Sequence, residues 1–137
     1  MGFVYIRCCG AVSRMFNCLS SGCSSCCVDT FMPLSLADIR RLQALGFNVK
    51  DFVVDRGGER KLKNRNGRCF FLTDKGCSVY EDRPTGCRFY PMVLGDDGEV
   101  IVDPDCSHSG MFTVGEVEAS ELVAFIQKLK KEKKRKL

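Results

Sequence analysis

Cys69-Phe-Phe-Leu-Thr-Asp-Lys-Gly-Cys77-Ser-Val-Tyr-Glu-Asp-Arg-Pro-Thr-Gly-Cys87 is the stretch around which the rest of the chain is read. Two β-prone pieces, residues 69–72 and 77–80, flank Thr73-Asp-Lys-Gly76, a hairpin signal in which the glycine supplies a positive φ. The pattern predicts a hairpin whose two cysteines face each other near the strand ends. Pro84 suits the first turn of a helix carrying Cys87 and Arg88. The thiols therefore enter one at a time from strand ends and a helix.

Upstream, Ser35-Leu-Ala-Asp-Ile-Arg-Arg-Leu-Gln-Ala-Leu-Gly46 predicts a helix. Ser35 caps it, Asp38 favours its first turn, Leu36, Ile39, Leu42 and Leu45 fall near helical spacing, and Gly46 ends it. Asn48 repeats the capping pattern before Phe52, Val53 and Val54, which predicts a short second helix packed on the first. Residues 55–68, DRGGERKLKNRNGR, are glycine-rich and highly charged and read as an exposed loop. Downstream, Met92-Val-Leu94 and Glu99-Val-Ile-Val102, turned by Gly95-Asp-Asp-Gly98, predict a hairpin that delivers the chain to Cys106. Residues 116–129 place Val117, Leu122, Phe125, Ile126 and Leu129 on one side of a closing helix. These elements predict a small, irregular α+β domain of short helices and hairpins. It is divided as an N-terminal extension over 1–16, a cysteine-cluster domain over 17–110, and an amphipathic helix with a basic tail over 111–137.

The 137 residues, 45% hydrophobic, suffice for one core. Ten cysteines raise the question of disulfides, which need an oxidising compartment. The opening MGFVYIRCCGAVSRMF is broken by Arg7 and Arg14 and has no cleavage pattern. No apolar run approaches the ~20 residues of a membrane span. Gly2 is followed by Ile6 where a myristoylation motif wants Ser or Thr. The expectation is a reduced, cytoplasmic protein. The net charge is +4, and residues 128–137 alone hold seven Lys or Arg against Glu132, leaving the remainder about −2. A body without net positive charge argues against nucleic-acid binding over the whole surface.

In a reduced protein, clustered thiols are natural ligands of a soft metal. Cys18-Leu-Ser-Ser-Gly-Cys23-Ser-Ser-Cys26-Cys27 places four within ten residues. Cys23 and Cys26 have the spacing to grip one ion, and the adjacent Cys26 and Cys27 diverge, which favours a polynuclear site. With Cys69, Cys77, Cys87 and Cys106 the candidate set is eight. One C-x2-C knuckle with scattered single thiols is closer to an iron–sulfur cluster, 4Fe-4S included, than to paired zinc knuckles, with zinc as the alternative. Cys8 and Cys9 read as buried apolar cysteines, and His108, the single histidine, as a surface residue rather than a ligand. Arg83 and Arg88 have two readings: a positive charge against the thiolates, or an ion pair with Glu81, the more ordinary role.

The ordered string Cys23-x2-Cys26-Cys27, Pro33-Leu-Ser35 with Asp38-Ile39, Cys69-Phe-Phe-Leu72, and Cys77-x-Val-Tyr-Glu81-x-Arg83-Pro84-x2-Cys87-Arg88-x-Tyr90-Pro91 resembles the YkgJ-type cysteine-cluster (CxxCxxCC) family. The resemblance covers about residues 17–110. It implies a small zinc- or iron-chelating domain and a metal set that includes Cys23, Cys26, Cys27, Cys69, Cys77 and Cys87, with Cys106 at a looser downstream position. The flagellin lysine N-methylases carry a related motif, in which an iron–sulfur centre is implied. One departure is the four-residue gap after Cys18, where the family commonly has two; Ser24 also replaces a glycine.

Three functions compete. The first is a metal-binding module with an electron-transfer, cluster-carrying or accessory role beside a protein partner. The second is a methyl-transferring enzyme, for which no independent catalytic motif is present. The third is a zinc-stabilised adaptor whose tail, 128–137, contacts nucleic acid or an acidic partner.

Overall fold

The computed structural model describes residue 28, residues 30–106 and residues 109–135. Helix α1 spans Leu36–Ala44. The Ser35 hydroxyl accepts from the Asp38 N–H while the Asp38 carboxylate accepts from the Ser35 N–H, a reciprocal cap that satisfies two donors otherwise left open at a helix start. Gly46, at φ 104°, carries the chain out of the helix. Helix α2, Val49–Phe52, starts from the Asn48 side chain as expected.

Residues 53–68 are strand and turn, not the open loop that their charge suggested. Strand β1, Val53–Arg56, pairs antiparallel with β2, Glu59–Leu62, and β3, Asn64–Arg65, pairs with β4, Arg68–Cys69. The charged side chains alternate with Arg60 and Leu62, which are buried, so the apolar signal of β2 rests on one residue. Both turns use left-handed backbone, at Gly57 and Gly58 and at Asn66 and Gly67. The extended chain before α1 runs antiparallel beside β2 through an isolated Pro33–Lys61 bridge, with Leu34 donating to the Arg60 carbonyl at 2.8 Å and Leu62 to that of Met32 at 2.9 Å.

The central hairpin is shorter than expected. Strands β5, Leu72–Thr73, and β6, Gly76–Cys77, pair Leu72 with Cys77, while Cys69 belongs to β4 and pairs with Asn64. The cysteines therefore do not face each other across one ladder. Phe71 is the cause: it is 2% exposed, packs edge-on against Phe47 at 4.9 Å and lies 5.5 Å from Phe52, and burying it turns the chain between Cys69 and Leu72. A single turn of 3-10 helix, Tyr80–Asp82, leads to helix α3, Thr85–Phe89, with Pro84 just before it.

The chain then forms β7, Met92–Leu94, and β8, Val100–Val102, the second expected hairpin, and ends in α4, Glu116–Glu132. The four helices and four separate two-stranded antiparallel sheets of the described residues make a small α+β domain. None of these helices is long and apolar enough to cross a membrane. One core cluster joins Leu34, Ile39, Leu42, Phe52, Leu62 and Phe71 to Cys69, Cys77 and Cys87. A second packs Leu122 and Phe125 of α4 on Met92 and Phe89. Val117, expected on the apolar side of α4, lies in the first turn of the helix and is 66% exposed.

The basic end of α4 is docked, at least through residue 135. Glu132 is 6% exposed, and its carboxylate accepts from the Leu36 N–H at 2.8 Å. The Arg60 guanidinium donates to the carbonyls of Glu132 and Arg135. Lys133 pairs with Glu59 at 2.8 Å. Gly58 lies so close beneath the Lys133 carbonyl that a Cβ there would collide with it, and its φ of 91° excludes most side chains as well. Replacing Glu132 with Ala is expected to lower stability by about 2 kcal/mol, the scale of a lost hydrogen bond to a charged group with its buried donor left open. The exposed Lys134→Ala should stay within about 0.5 kcal/mol. Urea denaturation of the two variants makes the comparison.

Candidate metal centre

Three elements bring three thiols into one core cluster: the end of β4 carries Cys69, the end of β6 carries Cys77, and α3 carries Cys87, exposed by 4%, 2% and 3%. None is in a disulfide. The turn after Cys69 points the Phe71 and Leu72 N–H groups at its sulfur, and the Val79 N–H points at that of Cys77. Such donors stabilise an anionic sulfur more than a neutral one.

Burial works the other way. Desolvation raises the Cys69 thiol pKa, opposed by its two N–H donors. It pushes Cys77 up to about 11, against the Val79 N–H and with help from the charge of Cys69. Cys87 is raised well above the ordinary thiol range, first by desolvation and then by the nearby charges of Cys69, Cys77 and Asp38. Burial is the first cause for all three thiols, and the charge of Cys69 acts on both Cys77 and Cys87.

Arg83 supplies one positive charge, felt by both Cys77 and Cys87. Its guanidinium lies 4.1 Å from the centre of the Tyr80 ring and donates to the Tyr80 carbonyl at 2.8 Å. Arg88 bonds the carbonyls of Glu81, at 2.9 Å, and Arg83, at 3.2 Å. In this turn Arg83 and Arg88 bond backbone carbonyls, while the ion pair expected with Glu81 is not among the ion pairs of the described residues. Arg83 takes the electrostatic role.

Asp38 is the residue whose reach the sequence reading missed. It is 0% exposed, and beyond capping α1 its carboxylate accepts from the Thr85 N–H at 3.0 Å, the Thr85 hydroxyl at 2.7 Å and Arg41 at 2.9 Å. Arg41 in turn donates to the Arg83 carbonyl at 3.0 Å. One carboxylate thereby fixes the start of α3, two residues before Cys87. The capping pattern marks Asp38 in the sequence, but nothing there marks its bond to Thr85, 47 residues away.

Cys106 is also buried, at 2%, in the turn after β8, outside the core cluster that holds the other three. Cys18, Cys23, Cys26 and Cys27, like Cys8, Cys9 and His108, lie outside the described residues. Val28, the residue after Cys27, forms a β-bridge with Arg68, the residue before Cys69. Among the described residues, no three His, Cys, Asp or Glu side chains are arranged to hold a metal ion by themselves. The donor set nevertheless fits a soft metal in its chemistry: unbridged sulfur, dry surroundings, N–H groups aimed at the sulfurs and one balancing guanidinium.

Fold and site together define a small thiol-centred metal-binding domain. The chain belongs to the CxxCxxCC family, whose description is "Putative zinc- or iron-chelating domain"; the family model matches residues 17–122. Comparison with curated proteins and with solved structures gave no significant match.

Asp38→Ala is expected to cost about 3 kcal/mol in stability, because it strips buried donors of their acceptor. It should also weaken metal binding by roughly 10- to 100-fold, as for other residues that orient metal ligands. Chelator competition on the folded fraction, alongside denaturation, separates the two effects.

Proposed function

We propose that the chain holds an iron–sulfur cluster. Cys69, Cys77 and Cys87 supply thiolates from the core, Cys23, Cys26 and Cys27 supply them from the segment leading to Val28, and Cys18 and Cys106 are the remaining candidates. The observation that carries this reading is the set of three buried, unbridged thiols with backbone N–H groups aimed at two of the sulfurs. The Val28–Arg68 bridge supports it, since it ties the residue following Cys27 to the one preceding Cys69. A bound cluster would supply one-electron exchange.

The chain's own residues then have distinct tasks. Phe71, Leu72 and Val79 direct their N–H groups at sulfur, which favours the anionic form needed for ligation. Arg83 offsets part of the accumulated negative charge. Asp38, through Thr85, holds α3 and with it Cys87. The surrounding Ile39, Leu42, Phe52 and Phe71 exclude water. Free thiols as ligands suit a reducing compartment, and one-electron exchange at a bound cluster would suit an electron-transfer, cluster-carrying or accessory role.

Protein purified without oxygen should contain iron and acid-labile sulfide and show broad visible absorption that bleaches on reduction. Cys77→Ser and Cys87→Ser should each lose most of that iron. A colourless protein with stoichiometric zinc and no sulfide overturns the redox reading and leaves a zinc-stabilised module.

A further inference from the structure

The sides of the β1–β2 and β3–β4 hairpins that face away from Cys69 form a basic and aromatic surface, and we infer that it binds single-stranded nucleic acid. The register gives its composition. Arg60 and Leu62 point inward and are buried, and Asn64 bonds the Thr30 backbone, so the alternate residues Lys61, Lys63 and Arg65 share the outer face. Pro33 bridges Lys61, which puts Phe31, two residues earlier, on that face as well. Asn64 stands opposite Cys69 and Arg65 opposite Arg68, while the Phe70 N–H donates to the Lys63 carbonyl at 2.9 Å. Cys69 therefore belongs to the inner side and Arg68 to the outer, while Phe70 packs against the edge of the core cluster.

This face is not neutralised from within. The two carboxylates of the β1–β2 hairpin are already engaged, Asp55 by Arg60 and Glu59 by Lys133. Among the described residues, none of Lys61, Lys63, Arg65 and Arg68 forms a close ion pair with a carboxylate, although the charge of Lys61 also acts on Glu59. Arg65 and Arg68 sit directly across the ladder from each other, an arrangement that costs stability in the free protein. A bound polyanion relieves it.

The aromatic residues select the kind of polyanion. Phe31 is 78% exposed, with the Lys61 ammonium 5.8 Å from its ring centre. The Arg65 guanidinium lies 5.2 Å from the centre of the half-buried Phe70 ring. An acidic peptide satisfies the charges but has no planar group for the Phe31 ring or the Arg65 guanidinium, whereas unpaired bases stack on both. A duplex hides those base faces. At the basic end of α4, Lys133 is already taken by Glu59, while Lys130 lines one cavity together with Lys61.

Fluorescence anisotropy with labelled dodecamers of uridine and of thymidine tests this on the full-length, metal-loaded protein. With about four phosphates contacted, raising salt fourfold should weaken binding by roughly 50-fold. Lys63→Glu/Arg65→Glu/Arg68→Glu should abolish binding while circular dichroism and metal content stay at wild-type values. Phe31→Ala should weaken it about tenfold with the salt slope unchanged, a stacking effect rather than a charge effect. Lys128→Gln/Lys131→Gln, on the exposed side of α4 and outside the cavity that Lys61 lines, should leave affinity within about twofold, as expected of residues that make none of the phosphate contacts. Failure of the wild type to bind, equal competition by a polyglutamate peptide, or unchanged binding by the hairpin triple variant would each overturn the inference, whatever metal the protein holds.

Discussion

The carboxylate of Asp38 is the constraint on which the arrangement of the domain depends. A fully buried charge is tolerated only when its oxygens are occupied, and here they take the Ser35 and Thr85 N–H groups, the Thr85 hydroxyl and the Arg41 guanidinium. The same interactions start α1, start α3 and, through Arg41, hold the Arg83 carbonyl. Two helix origins from distant parts of the chain are thereby set against each other. Cys87 inherits its position from that junction.

Around this junction the apolar core is modest, built from Ile39, Leu42, Phe52 and Phe71 with few long strands, and three of its members are thiols. Four two-stranded sheets, none joined to another by a ladder, provide little cooperativity of their own. A metal that gathers cysteines from separate hairpins and a helix would couple elements that the backbone leaves independent, so ligand binding and folding free energy become one quantity. The raised thiol pKa values have burial as their first cause, so the dry cluster resists ionising.

The C-terminal helix is a structural part of the domain and not an appended tail. Its apolar side packs on the β7–β8 hairpin through Leu122 and Phe125, and its basic end lies against Gly58, Arg60 and the start of α1. Glu59 is the partner of Lys133 and Asp55 that of Arg60, and among the described residues no carboxylate forms a close ion pair with Lys61, Lys63, Arg65 or Arg68.

Local chemistry made much of this protein legible from the amino-acid string. Ser35, Asp38 and Gly46 bound α1, Asn48 starts α2, and the Gly95–Gly98 turn closes the β7–β8 hairpin, because caps and tight turns depend on residues within a few positions of one another. The α+β class and the family followed from the same short-range patterns and from cysteine order. The strands hidden in residues 53–68 were not legible, since their outward side chains are charged and only Leu62 signals burial, although Asn66-Gly67 carried a hairpin signature. Likewise, the grouping of Cys69 with Cys77 and Cys87 but not across one ladder, the Asp38–Thr85 bond and the burial of Glu132 are decided only in three dimensions. Each depends on which distant surfaces meet, and that is set by packing around Phe71 and Leu62 rather than by any neighbouring residue.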